Sequence, residues 1–166
     1  AFWVGGGTNL TFNAGTSTIR CSGTLGEAAV FTGGGLTYHR LENTTTGAFP
    51  LKITGNNTFT DGIYVDCTAA ARTLQFTAAT TTTFGAASVG IDRDAGSNLL
   101  TIESVTAATH TLSKASGPVV SLHDTSVTNS TATQTNTFYA GTTPPSVDGT
   151  GNTNWLFEAA PSGGGG

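Results

Sequence analysis

Short hydrophobic-and-threonine segments recur along this chain about every two dozen residues, separated by Gly, Asn and Asp. Residues 11–23 read TFNAGTSTIRCSG, 31–43 FTGGGLTYHRLEN, 51–67 LKITGNNTFTDGIYVDC and 72–85 RTLQFTAATTTTFG. Echoes at such a period are the signature of stacked units, each burying its apolar face against the next. Strict two-residue alternation adds that one face of each segment is buried and the other wet. The expected inward residues are Ile19 and Cys21, then either Leu36 and Tyr38 or His39 and Leu41. Ile63, Val65 and Cys67 follow, then Leu74 and Phe76, Val89 and Ile91, Leu100 and Ile102, Leu112, Val120 and Leu122.

Strands of this kind build either a sandwich or a solenoid. Three features favour the solenoid: the repetition itself, threonine runs such as Thr80 to Thr83 that suit outward-facing stacked rows, and a shortage of hairpin turns. There is no Asn-Gly pair, and Asp-Gly occurs only at Asp61-Gly62 and Asp148-Gly149. No apolar stripe at helical spacing persists for two turns. Glycine, at 23 residues, marks corners, and abundant threonine suits pleated strands. The fold expected is therefore all-β: a parallel β-solenoid of short strands with tight Gly, Asn and Asp corners. It occupies residues 1–143. Residues 144–160, opened by Pro144-Pro145 and closed by Trp155, Leu156 and Phe157, read as a terminal rung plus a C-terminal cap. Residues 161–166 read as a Gly-rich tail. Phe2 and Trp3, followed by the Gly5 to Gly7 triplet, read as an opening cap or joint.

Charge narrows the function. Charged residues are 10% of the chain, against about 25% in an ordinary globular protein. The net charge is −4 and the six Lys and Arg are scattered, which argues against a nucleic-acid partner. No apolar run is long enough to span a membrane as a helix.

Few residues could carry chemistry. A polysaccharide-cleaving β-helix needs carboxylates facing one groove. The candidates are Asp61 with Asp66, and Asp92 with Asp94, which flank Arg93 at alternate positions and would share a wet face. Asp92, Asp94 and Asp124 would make a calcium cluster only by accident of stacking. Solvated corners whose charges discourage edge pairing are the plainer reading of all of these. His39, His110 and His123 are isolated and lack metal spacing. No nucleophile elbow occurs, and the triplets at Gly5 to Gly7 and Gly33 to Gly35 lack the features of a phosphate loop. Cys21 and Cys67 end alternating strands, as small buried residues do. Sequons begin at Asn9, Asn43, Asn56 and Asn129. Tyr38, Tyr64, Tyr139 and Trp155 could stack on sugars, but packing is the commoner role. The expectation is a chain with no catalytic, cofactor-binding or metal-ligating residues.

The stretch from Asn98 to Phe157 resembles the C-terminal pattern of repetitive β-helix proteins of tailed-phage virions and related metagenomic surface proteins. The marks are Leu100 to Ile102, Thr111 to Gly117, Val120-Ser121, Phe138 to Gly141, Asp148-Gly149, Asn152-Thr153 and Trp155. The upstream echoes are similar to the same family, and Pro144-Pro145 departs from its usual Gly- and Asn-rich turn. The resemblance implies a right-handed β-solenoid and a non-catalytic structural virion protein: a head fibre, capsid decoration or tail appendage. It also implies a homo-oligomer, trimeric in the manner of phage fibres, that contacts neighbouring virion proteins and a host surface glycan. The alternatives are a secreted bacterial adhesin or subunit of an extracellular filament and, less favoured, a polysaccharide depolymerase. Loss of activity on Asp92→Asn or Asp94→Asn would mark the last.

Overall fold

The computed structural model describes residues 3–4, 11–135, 137–142 and 146–162. The expectations placed on Phe2, the Gly5 to Gly7 triplet, Asn9, Pro144-Pro145 and residues 163–166 lie outside the described residues. Within them the chain is all-β, with no helix, and its paired strands run parallel.

Three sheets share the strands. The first contains β1 (Trp3–Val4), β3 (Ala29–Thr32), β5 (Leu51–Thr54), β7 (Arg72–Phe76), β10 (Leu100–Ser104), β13 (Thr125–Thr128) and β16 (Val147–Asp148), in that order. The second runs from β2 (Thr18–Gly23) through β4 (Thr37–Thr45), β6 (Asn57–Val65), β8 (Thr81–Phe84) and β11 (His110–Lys114) to β14 (Ser130–Thr133). The third holds β12 (Val120–Ser121), β15 (Phe138–Tyr139) and β17 (Trp155–Leu156). β9 (Gly90–Arg93) pairs with the second half of β6 while β8 pairs with its first half. The stacking is in register. Phe31 lies beside Ile53, Ile53 beside Phe76, Leu74 beside Ile102 and Ile102 beside Val127, returns of 22, 23, 28 and 25 residues. The sequence period is thus the length of one turn of chain.

The two long strands β4 and β6 each cover what later turns divide between separate strands. Both bend on the way. The β4–β6 register shifts between Tyr38 and Arg40, so Tyr38 and Leu41 both point inward although they are three residues apart. At the bend sits Gly62, at φ +140°, where a Cβ would lie 2.4 Å from the Gly90 carbonyl oxygen. Two successive turns meet there backbone to backbone, which glycine alone permits. Gly90 itself has φ +78°, which breaks the alternation of its strand. Val89, expected inward, is 42% exposed for that reason, while Ile91 is buried.

The core is a set of columns. Ala29, Leu51, Leu74, Ile102 and Val127 stack along the first sheet. Leu41, Ile63 and Ile91 stack along the second. A column of rings passes from Tyr38 to Phe59 to Phe84, the first two with centroids 5.8 Å apart. Phe138 and Trp155 continue ring packing under the third sheet, 5.3 Å apart. Each buried Leu, Ile or Phe contributes about 1.5–3 kcal/mol of hydrophobic stabilisation. A thin inner stripe repeated at every turn is therefore enough, which is how 37% hydrophobic residues suffice.

Candidate functional site

Three of the six basic residues, Arg72, Arg93 and Lys114, are buried. Each donates to main-chain carbonyls where the chain turns. Lys114 Nζ reaches Gly85 O at 3.3 Å, Ala86 O at 3.1 Å and Ser116 O at 2.7 Å. Arg93 donates to the carbonyls of His123 (2.7 Å), Asp124 (3.1 Å), Asp94 (3.3 Å) and Gly96. Arg72 donates to Gly47 O at 3.3 Å and Ala71 O at 3.0 Å. Corner carbonyls lose their ladder partners, and a buried cation with several N–H groups restores them. Lys114 takes the inward place in register with Phe84, and burial lowers the pKa of its ammonium. The sequence held no signal for these roles, because each cation also reaches a carbonyl of a neighbouring turn, 25 to 31 residues away.

A cluster of charges lies on the outer side of the second sheet, toward its late half. Arg20, Glu42, Tyr64 and Asp92 form one outward row across β2, β4, β6 and β9. Glu42 bridges Arg20 at 2.7 Å and Arg40 at 2.8 Å, and Arg40 also pairs with Asp61 at 2.9 Å. The Arg40 guanidinium lies 5.2 Å from the Tyr64 ring centroid. Burial, then the carboxylates of Asp94, Asp66 and Asp92, raise the pKa of the Tyr64 phenol. At such exposure each ion pair contributes about 0–1 kcal/mol.

The carboxylates meet in a different combination from the one the sequence suggests. Asp66 and Asp94 come together from neighbouring turns, whereas Asp61 is held by Arg40 and Asp92 stands in the outward row beside Tyr64. Asp94 Oδ2 accepts the N–H groups of Cys67 at 2.6 Å and Thr68 at 3.2 Å, and its Oδ1 accepts that of Gly96 at 2.8 Å. Asp66 Oδ1 accepts both the hydroxyl and the N–H of Thr68, which hold its pKa below the usual carboxylate value. These two acids anchor loop backbone. Asp94→Ala is expected to cost about 2 kcal/mol, since it leaves the Cys67 and Gly96 N–H groups without their acceptor, while Thr68 N–H keeps Asp66. Urea unfolding of the two proteins side by side would measure this, and Asp92→Ala, whose side chain holds no such set, is expected to stay within about 0.5 kcal/mol of the parent.

His110 is wholly buried and bridges turns. Its Nδ1 lies 2.9 Å from Ser104 Oγ and its Nε2 3.0 Å from Ser130 Oγ. Ser104 in turn donates to Asn129 O at 3.2 Å, and Trp155 Nε1 donates to Ser130 Oγ at 3.0 Å. The partners select one arrangement, in which Nδ1–H donates to Ser104 and Nε2 accepts from Ser130, so every group is satisfied only when the ring is neutral. The ring also stacks on Phe76, 4.7 Å between centroids. Burial lowers the His110 pKa to about 4. His123 is more exposed and pairs with Asp124 at 3.0 Å, and His39 is half-buried in β4.

Of the aromatic candidates, Tyr38, Tyr139 and Trp155 are interior, with the Tyr38 hydroxyl donating to Gly33 O at 2.7 Å, so among them only Tyr64 faces outward. Asn43 is 1% exposed, which closes that sequon to a glycan in the folded chain, and the Asn56 side chain accepts from Thr81 N at 2.7 Å. Cys21 and Cys67 are buried free thiols, and burial pushes the Cys67 thiol up to about 11. Cys21 is in register with Asn43 and Asn43 with Val65, so about 9.6 Å of strand spacing separates Cys21 from the turn that carries Cys67. Among the described residues no three His, Cys, Asp or Glu side chains converge where a metal ion could sit, and no helix is long and apolar enough to cross a membrane.

The outer side of the second sheet's early half is different. Thr81, Thr111 and Thr131 stand in register on β8, β11 and β14, and Thr131 bridges onward to Thr153. Two residues along each strand, Thr37, Thr58, Thr83, Ser113 and Thr133 form a second column. The run Thr80 to Thr83 does not face outward as a block: Thr82 is 1% exposed and inward, and its neighbours on either side supply the two columns. Comparison with known proteins gives no match to a protein family, to a curated sequence or to a solved structure.

Proposed function

We propose that this chain is a non-catalytic structural module, a right-handed parallel β-solenoid closed by a C-terminal cap, that serves in the virion of a tailed bacteriophage as a head fibre, decoration or tail appendage. The observation that carries the reading is the unbroken parallel ladder of seven strands, β1 to β16, in one sheet. Six steps of about 4.8 Å make roughly 29 Å of continuously hydrogen-bonded backbone. Such a ladder is stiff along its axis and leaves the corner loops to meet a neighbour or a host glycan. The investment of buried cations and loop carboxylates in corner carbonyls and N–H groups supports the same reading, because those groups hold shape.

Electron cryomicroscopy of the native assembly carrying the chain tests it. Density for the module projecting from or coating a capsid or tail is the expected result. A self-polymerised fibre without a capsid would overturn the virion assignment and favour the extracellular filament subunit.

A further inference from the structure

We propose that the two-column threonine face of the second sheet binds the surface of ice. The inference stands apart from the virion reading and concerns one face of the block.

Four properties carry it. The first is regularity. The columns of Thr81, Thr111, Thr131 and Thr153, and of Thr58, Thr83, Ser113 and Thr133, advance one strand spacing per turn. That spacing is about 4.7–4.9 Å. Two water oxygens bonded at about 2.75 Å to a common tetrahedral neighbour lie about 4.5 Å apart. Hydroxyls on successive turns therefore fall near second-neighbour oxygen positions of a tetrahedral water lattice, drifting by about 1 Å over three steps. Across the columns the backbone separation is about 6.6 Å, against a lattice stacking repeat of about 7.3 Å, so the close match runs along the turns.

The second property is charge. Outer rows elsewhere carry ions: Lys52 and Glu103 share a row of the first sheet, and Arg20, Glu42 and Asp92 share the late half of the second, while the ion-free row Thr73, Thr101 and Ser126 of the first sheet ends at Val147. The threonine columns hold none. An ion orients its own hydration shell against the lattice, whereas a neutral hydroxyl takes the place of a water oxygen. The third is chemistry: each threonine sets a methyl beside its hydroxyl, so the face combines apolar contact with lattice hydrogen bonds. The fourth is stiffness. Threonine is restricted at χ1, and β8 and β11, which carry Thr81, Thr83 and Thr111, each have a ladder neighbour on both sides. Little side-chain freedom remains to be lost on binding.

The test is nanolitre osmometry on the full chain, with crystal shape recorded under the microscope. The parent is expected to facet ice crystals and to separate melting from freezing. Thr111→Tyr and Thr83→Tyr, which place a ring in each column, are expected to bring both effects to the buffer level. Thr101→Tyr, outward on the first sheet, is expected to keep them. Circular dichroism and sedimentation on the same samples establish that each variant is folded. A folded parent without faceting or hysteresis overturns the proposal, as does equal loss in the Thr101 variant. Self-association of the parent that Thr111→Tyr abolishes, with no effect on ice, would instead make this face a contact between copies.

Discussion

Gly117→Ala is expected to cost at least about 4 kcal/mol and to lower the melting temperature by roughly 10 °C. Gly117 has φ +86°, and a Cβ there would lie 1.7 Å from Ala86 O and 3.2 Å from Lys114 Nζ. The carbonyl it would strike is one of the three that Lys114 holds. Relief of the overlap therefore requires a backbone shift in the neighbouring turn and the loss of a charge-assisted hydrogen bond inside the protein. Left-handed backbone strain alone accounts for about 1–2 kcal/mol of the total. Gly15→Ala separates the two parts: Gly15 has φ +52° but open space around its Cβ, so it is expected to show the strain without the clash. Gly26→Ala, with open space and no positive φ, is expected to be neutral. Thermal and urea unfolding of the three variants measures the series. A Gly117 variant as stable as the Gly15 one would show that the corner between these turns yields easily.

Acidification is expected to destabilise the protein by up to about 3 kcal/mol between pH 6.5 and pH 4, through His110 alone. The folded His110 pKa is lowered to about 4 while the unfolded value is near 6.5. In that interval the unfolded chain binds the proton and the folded chain does not, so stability falls as the pH falls and levels off once both states are protonated. The geometry gives the reason: a proton on Nε2 would turn the Ser130 hydroxyl away from its only acceptor while Ser130 still receives the Trp155 N–H. Asp66 acts in a lower window. Its pKa is below the usual carboxylate value, so its contribution is present above about pH 4 and lost beneath it. Urea unfolding at pH 7 and pH 4.5, on the parent and on His110→Gln, separates the two. The variant is expected to be less stable at pH 7 and nearly flat across the interval; an unchanged slope would place the acid sensitivity elsewhere.

The all-β class and the inner face of most strands were legible from residue order alone. Alternation is a local property: in β7, β10 and β11 the residues expected inward, Leu74, Phe76, Leu100, Ile102 and Leu112, are buried, because pleating forces neighbours to opposite faces. The turn length was legible for the same reason, since each turn repeats one apolar stripe. Alternation failed where the backbone leaves the pleat. Val89 faces solvent because Gly90 takes a positive φ, and Tyr38 and Leu41 are both inward because the register shifts between them.

Only the tertiary structure decided which side chains meet. Asp66 joins Asp94 rather than Asp61, and Asp94 is spent on three loop N–H groups, because strand register sets which turns lie side by side. Arg72, Arg93 and Lys114 look like surface charges in a string of letters. They are interior because each satisfies, beside local carbonyls, one or more carbonyls that come within reach only once neighbouring turns have stacked. The threonines were visible one by one, but their alignment into two columns was not. A column is a relation between residues about 20 to 30 positions apart, and loops of unequal length hide that relation until the ladder sets the register.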